Sequence, residues 1–173
     1  MVTPDARREA LIAALVDLEH HVGAAGWDQP PRLFALVETE VLLASEPGLA
    51  ESLGQHERAA GSLTAVEQDD FAGTEDVLGD LALIEWPAAV FGCALSLVRT
   101  FLPAAYEADL PDDPHAAAAV AGHPQRQEIR AVVGIDRSGQ QHGVARLMST
   151  PHELLAADDL VPGLAAALAH TLS

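Results

Sequence analysis

The sequence predicts an α+β protein with a mostly antiparallel, five-stranded sheet. Helices stand at its N-terminus, middle and C-terminus, in the order α-βββ-α-ββ-α. Three observations lead there. An apolar stripe at helical spacing opens the chain, a long apolar strand lies at its centre, and a hairpin signal follows that strand. No alternation of strand and helix is sustained enough for a doubly wound sheet. With 173 residues, the chain is expected to be a single domain, 1–173.

In the first helix, Thr3 is placed to cap and Pro4 suits the first turn. Leu11, Ile12, Leu15, Val16, Glu19 and Val22 make one stripe, diluted by the charge of Glu19 and joined at its edge by Leu18. Gly23 and Gly26 end the helix. Pro30 and Pro31 then stiffen the entry to a strand over Leu33 to Val37. Pro47 to Leu53 reads as a short helix, Gln55 to Ser62 as a loop, and Leu63 to Gln68 as a strand. An acidic loop over Asp69 to Thr74 leads into a helix that Thr74 would cap, ending near Leu83.

Ala89 to Leu102 is the strongest strand. It is apolar on both faces, which predicts a central place in a covered sheet. Pro103 closes it, and Asp113-Pro114 opens an alanine-rich helix that stops near Gly122. Glu128 to Arg137 and Gln141 to Ser149 then form a hairpin around Ser138-Gly139-Gln140, with Gly139 in the left-handed position. That register puts Ile129, Ala131, Val133 and Ile135 on one face. Arg130, Val132 and Asp136 fall on the other, beside His142, Val144 and Arg146. A last helix is expected over Leu160 to Leu172, with Pro162 in its first turn.

The formal charge is −17, with 26 acidic residues against nine basic ones. All nine are Arg, and the chain has no Lys. Such a surface opposes nucleic acid and anionic membranes, since both need basic residues to meet phosphates. No secretory leader and no membrane-length apolar run is legible, so a cytoplasmic setting is expected. The single cysteine, Cys93, allows no internal disulfide.

Signatures of chemistry are missing. The sequence has no GxxxxGK[ST], GxGxxG, GxSxG or HExxH. Glu19-His20-His21 is the densest ligand-type group, but neighbouring helical residues point about 100° apart and do not converge on one ion. Cys93 sits inside the most apolar strand, where burial makes a thiol inert. The pairs Asp69-Asp70, Asp112-Asp113 and Asp158-Asp159 abut turns or helix starts, where Asp caps. No catalytic residue, metal or cofactor is therefore expected.

Candidate binding residues remain. Arg130 and Arg146 should be neighbours on one sheet face, where two guanidiniums can hold a carboxylate or phosphate. They can equally neutralise the protein's own acid. His142 shares their face. Trp27, Asp28 and Arg32 belong to the most distinctive local segment, Trp27 to Arg32. That segment reads as a recognition surface or as a stiff loop whose Trp anchors the first helix.

Five segments, His21 to Val37, Ser62 to Asp70, Glu85 to Thr100, Leu110 to Arg130 and Asp159 to Leu168, together resemble a family of uncharacterised actinobacterial proteins. The resemblance implies a cytoplasmic setting and carries no catalytic residue with it. In element order alone, the chain is similar to type III secretion chaperones, which are small, acidic and usually dimeric. The expectation is a non-enzymatic, homodimeric module that binds another protein. The alternative is a small-molecule-binding protein or enzyme with an unfamiliar pocket near Arg130 and Arg146.

Overall fold

A computed structural model describes residues 2–46, 48, 61–71, 73–74, 76–102, 119, 122–161 and 163–173. Its elements are α1 (Pro4–Gly23), β1 (Arg32–Glu38), α2 (Thr39–Ser45), β2 (Leu63–Glu67), α3 (Val77–Leu81), β3 (Gly92–Phe101), β4 (Gln127–Asp136), β5 (Gln141–Leu147), β6 (Thr150–Ala157) and α4 (Leu164–Thr171). The strands form one open sheet in the order β2-β1-β3-β4-β5-β6, antiparallel at every joint. The α+β class holds, with six strands rather than five. The expected helices at Pro47 to Leu53 and Asp113 to Gly122 lie wholly or almost wholly outside the described residues, as do Asp112-Asp113, Pro103 and Pro162.

The sheet separates two cores. On one face, Leu11, Leu15, Leu18 and Val22 of α1 pack on Phe34, Leu36, Ala94, Val132 and Val144. On the other, Val77 and Leu81 of α3 and Leu164, Leu168 and Leu172 at α4 pack on Leu33, Cys93, Leu95, Val133 and Ile135. β3 and β4 stand in the middle of this sandwich, which explains the unbroken apolar run of β3. The stripe of α1 is centred on Leu11, Leu15, Leu18 and Val22, so Leu18 is a core residue, not an edge one, while Ile12 and Val16 are only half-buried. Glu19 is buried within that stripe at 1% exposure.

The hairpin follows the predicted register, with Arg130 opposite Arg146, Val132 opposite Val144 and Gly134 opposite His142. Gly139 takes φ 93°, a left-handed conformation that a side chain would strain. Asp136 Oδ1 accepts from the Ser138 and Gln140 amides at 2.8 and 3.2 Å and fixes the turn. At its base, Arg137 donates to the carbonyls of Val90, Pro87 and Leu172, which places a cation at the C-terminal end of α4.

Three local expectations change. Asp76, not Thr74, caps α3: its carboxylate accepts from the Gly79 amide at 3.2 Å, and Thr74 Oγ1 accepts from the Asp76 amide one step earlier. Thr39–Ser45 turns into α2 directly after β1. The sixth strand, β6, is Thr150–Ala157, almost wholly exposed along its length. Its residues carry no burial pattern, so nothing in the sequence marked it as a strand.

Leu15 is fully buried, with Cδ2 lying 2.6 Å from where a Cβ on Gly134 would stand. Truncation there opens a cavity under the middle of α1. Leu15→Ala is expected to cost about 2–5 kcal/mol in urea denaturation, with an unchanged dependence on denaturant.

Candidate functional site

The sheet face under α1 carries Arg32, Arg130 and Arg146. Glu19 enters from the helix, and Arg130 and Arg146 rise from opposed positions on β4 and β5. Arg146 Nε donates to Glu19 Oε1 at 2.7 Å, and Arg130 Nη2 reaches the same oxygen at 3.3 Å. Two like charges directly opposed across strands repel. The shared carboxylate between them turns that repulsion into a three-member ion pair.

Backbone carbonyls meet one further nitrogen of each arginine, while Arg130 Nε is buried without a hydrogen-bond partner. Arg130 Nη1 donates to the Gly26 carbonyl at 3.0 Å, and Arg146 Nη1 to the Pro151 carbonyl at 3.0 Å. The Trp27 ring lies over the Arg130 guanidinium at 4.4 Å, a cation–π contact. Gly23 makes room for it: a Cβ there would stand 2.9 Å from Arg130 Nη2. The glycine that ends the helix and the tryptophan that follows it thus both serve the same buried cation.

Arg32 forms a second, separate pair. It grips Glu67 with both ends of its fork, at 2.8 and 2.7 Å, and also donates to Gln29 Oε1 at 3.1 Å. His21 Nε2 stands 3.3 Å from its Nη2. The hydrogen bond from Arg32 holds the Glu67 carboxyl below its ordinary range despite partial burial.

His142 lies four residues from Arg146 along β5, about 13 Å away at strand rise. Its Nδ1 is 3.2 Å from Asp158 Oδ1, which also accepts from Arg8 of α1 at 2.8 Å. Asp158 is therefore a tie between α1 and the end of β6 as well as a turn residue. The structure brings Trp27, Arg130 and Arg146 together, with Arg32 on the same face. It places His142 elsewhere and leaves Asp28 exposed. Sequence reading did not assign Glu19 and Gly23 to this cluster. The available signal was a carboxylate inside an apolar stripe, facing the strand pair that carries two arginines.

Cys93 is fully buried, its Sγ 3.5 Å from Thr171 Oγ1. Burial pushes its thiol up to about 11. Among the described residues, no group of three or more His, Cys, Asp or Glu could hold a metal ion. Nor is any described helix long and apolar enough to cross a membrane.

A different feature lies on the opposite face. A groove of about 560 Å³ runs over β1 between the end of β2 and the segment joining α3 to β3. Leu33, Phe71, Ile84, Trp86 and Val90 supply its apolar surface, and Asp70, Asp80 and Glu85 also line it. Leu83 at its border is 87% exposed.

Fold and site together define an α+β protein with both sheet faces covered, charged residues tied internally under α1, and an open apolar groove on the other side. The chain belongs to the PPA1309-like protein family, whose model matches residues 11–173. That family has no assigned function. No curated protein matches the chain, and no solved structure matches it.

Removing the shared carboxylate leaves two arginines facing each other with little solvent. Glu19→Ala is expected to destabilise by about 3–5 kcal/mol. Burial alone would raise the Glu19 carboxyl, but the hydrogen bonds and charges of Arg146 and Arg130 outweigh it and hold it below its ordinary value. Its stabilising contribution is thus complete above the usual glutamate range and is lost as pH falls through the depressed folded value. Denaturation curves at a series of acidic pH values should show this loss, and Glu19→Gln should flatten it.

The native thiol of Cys93 should not react with a thiol reagent at mildly alkaline pH, and should react at once in denaturant. Rapid labelling of the folded protein would contradict its burial.

Proposed function

We propose that the protein is a non-enzymatic, cytoplasmic module that binds a segment of another protein, chaperone-like in that limited sense, and that it works as a homodimer. The observation that carries the reading is the division between the two faces of the sheet. Under α1, Arg32, Arg130 and Arg146 have partners within the chain. Across the sheet, the groove keeps Phe71, Ile84 and Trp86 only half-buried, with Leu83 outside them. Contiguous apolar surface of this kind marks interaction sites on soluble proteins.

The dimer is supported by β6. It is the last strand of the sheet, and among the described residues no strand pairs with its outer edge. Open edges pair readily with another chain, although Pro151 removes one donor near its start. The alternative, a ligand pocket at Arg130 and Arg146, has less support. A ligand would have to displace Glu19 and two backbone carbonyls from the guanidiniums.

A photo-crosslinking residue at Leu83 is expected to capture partner protein in cells of the source organism. The same residue at Ser138, exposed on the hairpin tip, should not. Equal capture at both positions, or none at Leu83, would count against the reading. Light scattering should give twice the mass of the chain, and a monomer would remove the dimer.

A further inference from the structure

We propose that the groove beside α3 takes a short protein segment in which apolar side chains are accompanied by Arg or Lys. The inference rests on the protein-binding reading above and names the partner's chemistry. Its first support is the composition of the lining. Leu33, Phe71, Ile84, Trp86 and Val90 offer apolar surface in a cavity of about 560 Å³, a volume within the usual range of ligand sites. The three charged residues among the described lining, Asp70, Asp80 and Glu85, are all acidic, and the nearest arginine, Arg137, is spent on the backbone carbonyls of Trp86 and Pro87.

The second support is a contrast with the rest of the molecule. Two carboxylates beside packed apolar surface under α1 have arginines: Glu19 has two, and Glu67 has Arg32. Among the described residues, Asp70 and Glu85 have no arginine partner, and Asp80 accepts only from Thr74. Low-dielectric walls strengthen the attraction of such carboxylates for a cation. The third support is rigidity. Trp86 Nε1 donates to Thr171 Oγ1 at 2.9 Å and its amide to the Thr171 carbonyl at 3.1 Å, so one wall is fixed before anything binds.

Charge also separates the occupants. A second copy of this chain, with no Lys and a net charge of −17, is a poor match for an acidic groove. An acidic or phosphorylated segment would be repelled. A segment that sets a leucine-sized side chain in the groove and an Arg or Lys at its border satisfies both halves of the lining.

The test uses the full-length protein and three short fluorescent peptides. One alternates leucine with lysine, and the other two carry glutamine or glutamate in place of lysine. Binding is read by anisotropy and by the Trp86 indole N–H signal in NMR. The lysine peptide is expected to bind, to shift that signal, and to lose about fivefold in affinity when Asp70→Asn is combined with Glu85→Gln. The control pair Glu9→Gln with Glu153→Gln removes the same charge from exposed sites elsewhere and should leave affinity unchanged.

Equal binding of the glutamine peptide would overturn the cationic requirement and leave the groove as a protein site. An equal loss in the control pair would show attraction to the whole acidic surface and overturn the assignment to this groove. If an alkylamine alone binds as tightly as the peptide, the occupant is a small amine, not a segment. A self-association abolished by the Asp70 and Glu85 changes would make it a second copy. If no peptide moves the Trp86 signal, both this inference and the groove's part in the protein-binding reading fail.

Discussion

The structure depends on one carboxylate placed between two guanidiniums. Arg130 and Arg146 face each other across β4 and β5, a position that like charges disfavour. Glu19, buried in the apolar stripe of α1, answers both. That single contact fixes how α1 lies over the sheet. If the helix slid by one turn along its axis, the carboxylate would leave both cations without their counter-ion. Trp27 and Gly23 are consequences of the same constraint, since the chain leaving α1 has to close over Arg130. A buried ion pair is weak evidence for stability in itself. Its value here is in specifying register, because the apolar residues of α1 would tolerate small shifts that Glu19 does not.

Much of the fold is legible in the sequence because its strongest elements are local. The hairpin is set by a short loop with glycine at the left-handed position, and the resulting register places Arg130 beside Arg146 without further information. The two-sided apolar run of β3 similarly announces a covered, central strand. β6 could not be read this way. Thr150–Ala157 buries almost nothing on either face, so its strand character comes from hydrogen bonding to β5 and not from any pattern of its own. The cap of α3 turned on geometry: Thr74 and Asp76 are both competent, and only Asp76 meets the Gly79 amide.

The candidate site was half legible for a related reason. Pairing within a hairpin predicts which residues share a face, and it placed the two arginines correctly. It does not predict what descends on that face from another element. The sequence therefore left two roles open for Arg130 and Arg146, ligand binding or neutralisation of the protein's own acid, and the structure pairs both with Glu19. The groove on the opposite face was invisible beforehand. Its lining comes from three stretches of chain, and its carboxylates stand among many others in a protein with 26 acidic residues.

The claim that Glu19, Arg130 and Arg146 act as one structural unit is tested most directly by a double-mutant cycle. Folding stability would be measured for Glu19→Gln, for Arg146→Met and for the two combined. A shared ion pair predicts strong coupling, on the order of 1–3 kcal/mol, with the double variant more stable than the sum of the single losses implies. Additivity to within about 0.5 kcal/mol would contradict it, and would return Arg130 and Arg146 to the role of a free cationic pair.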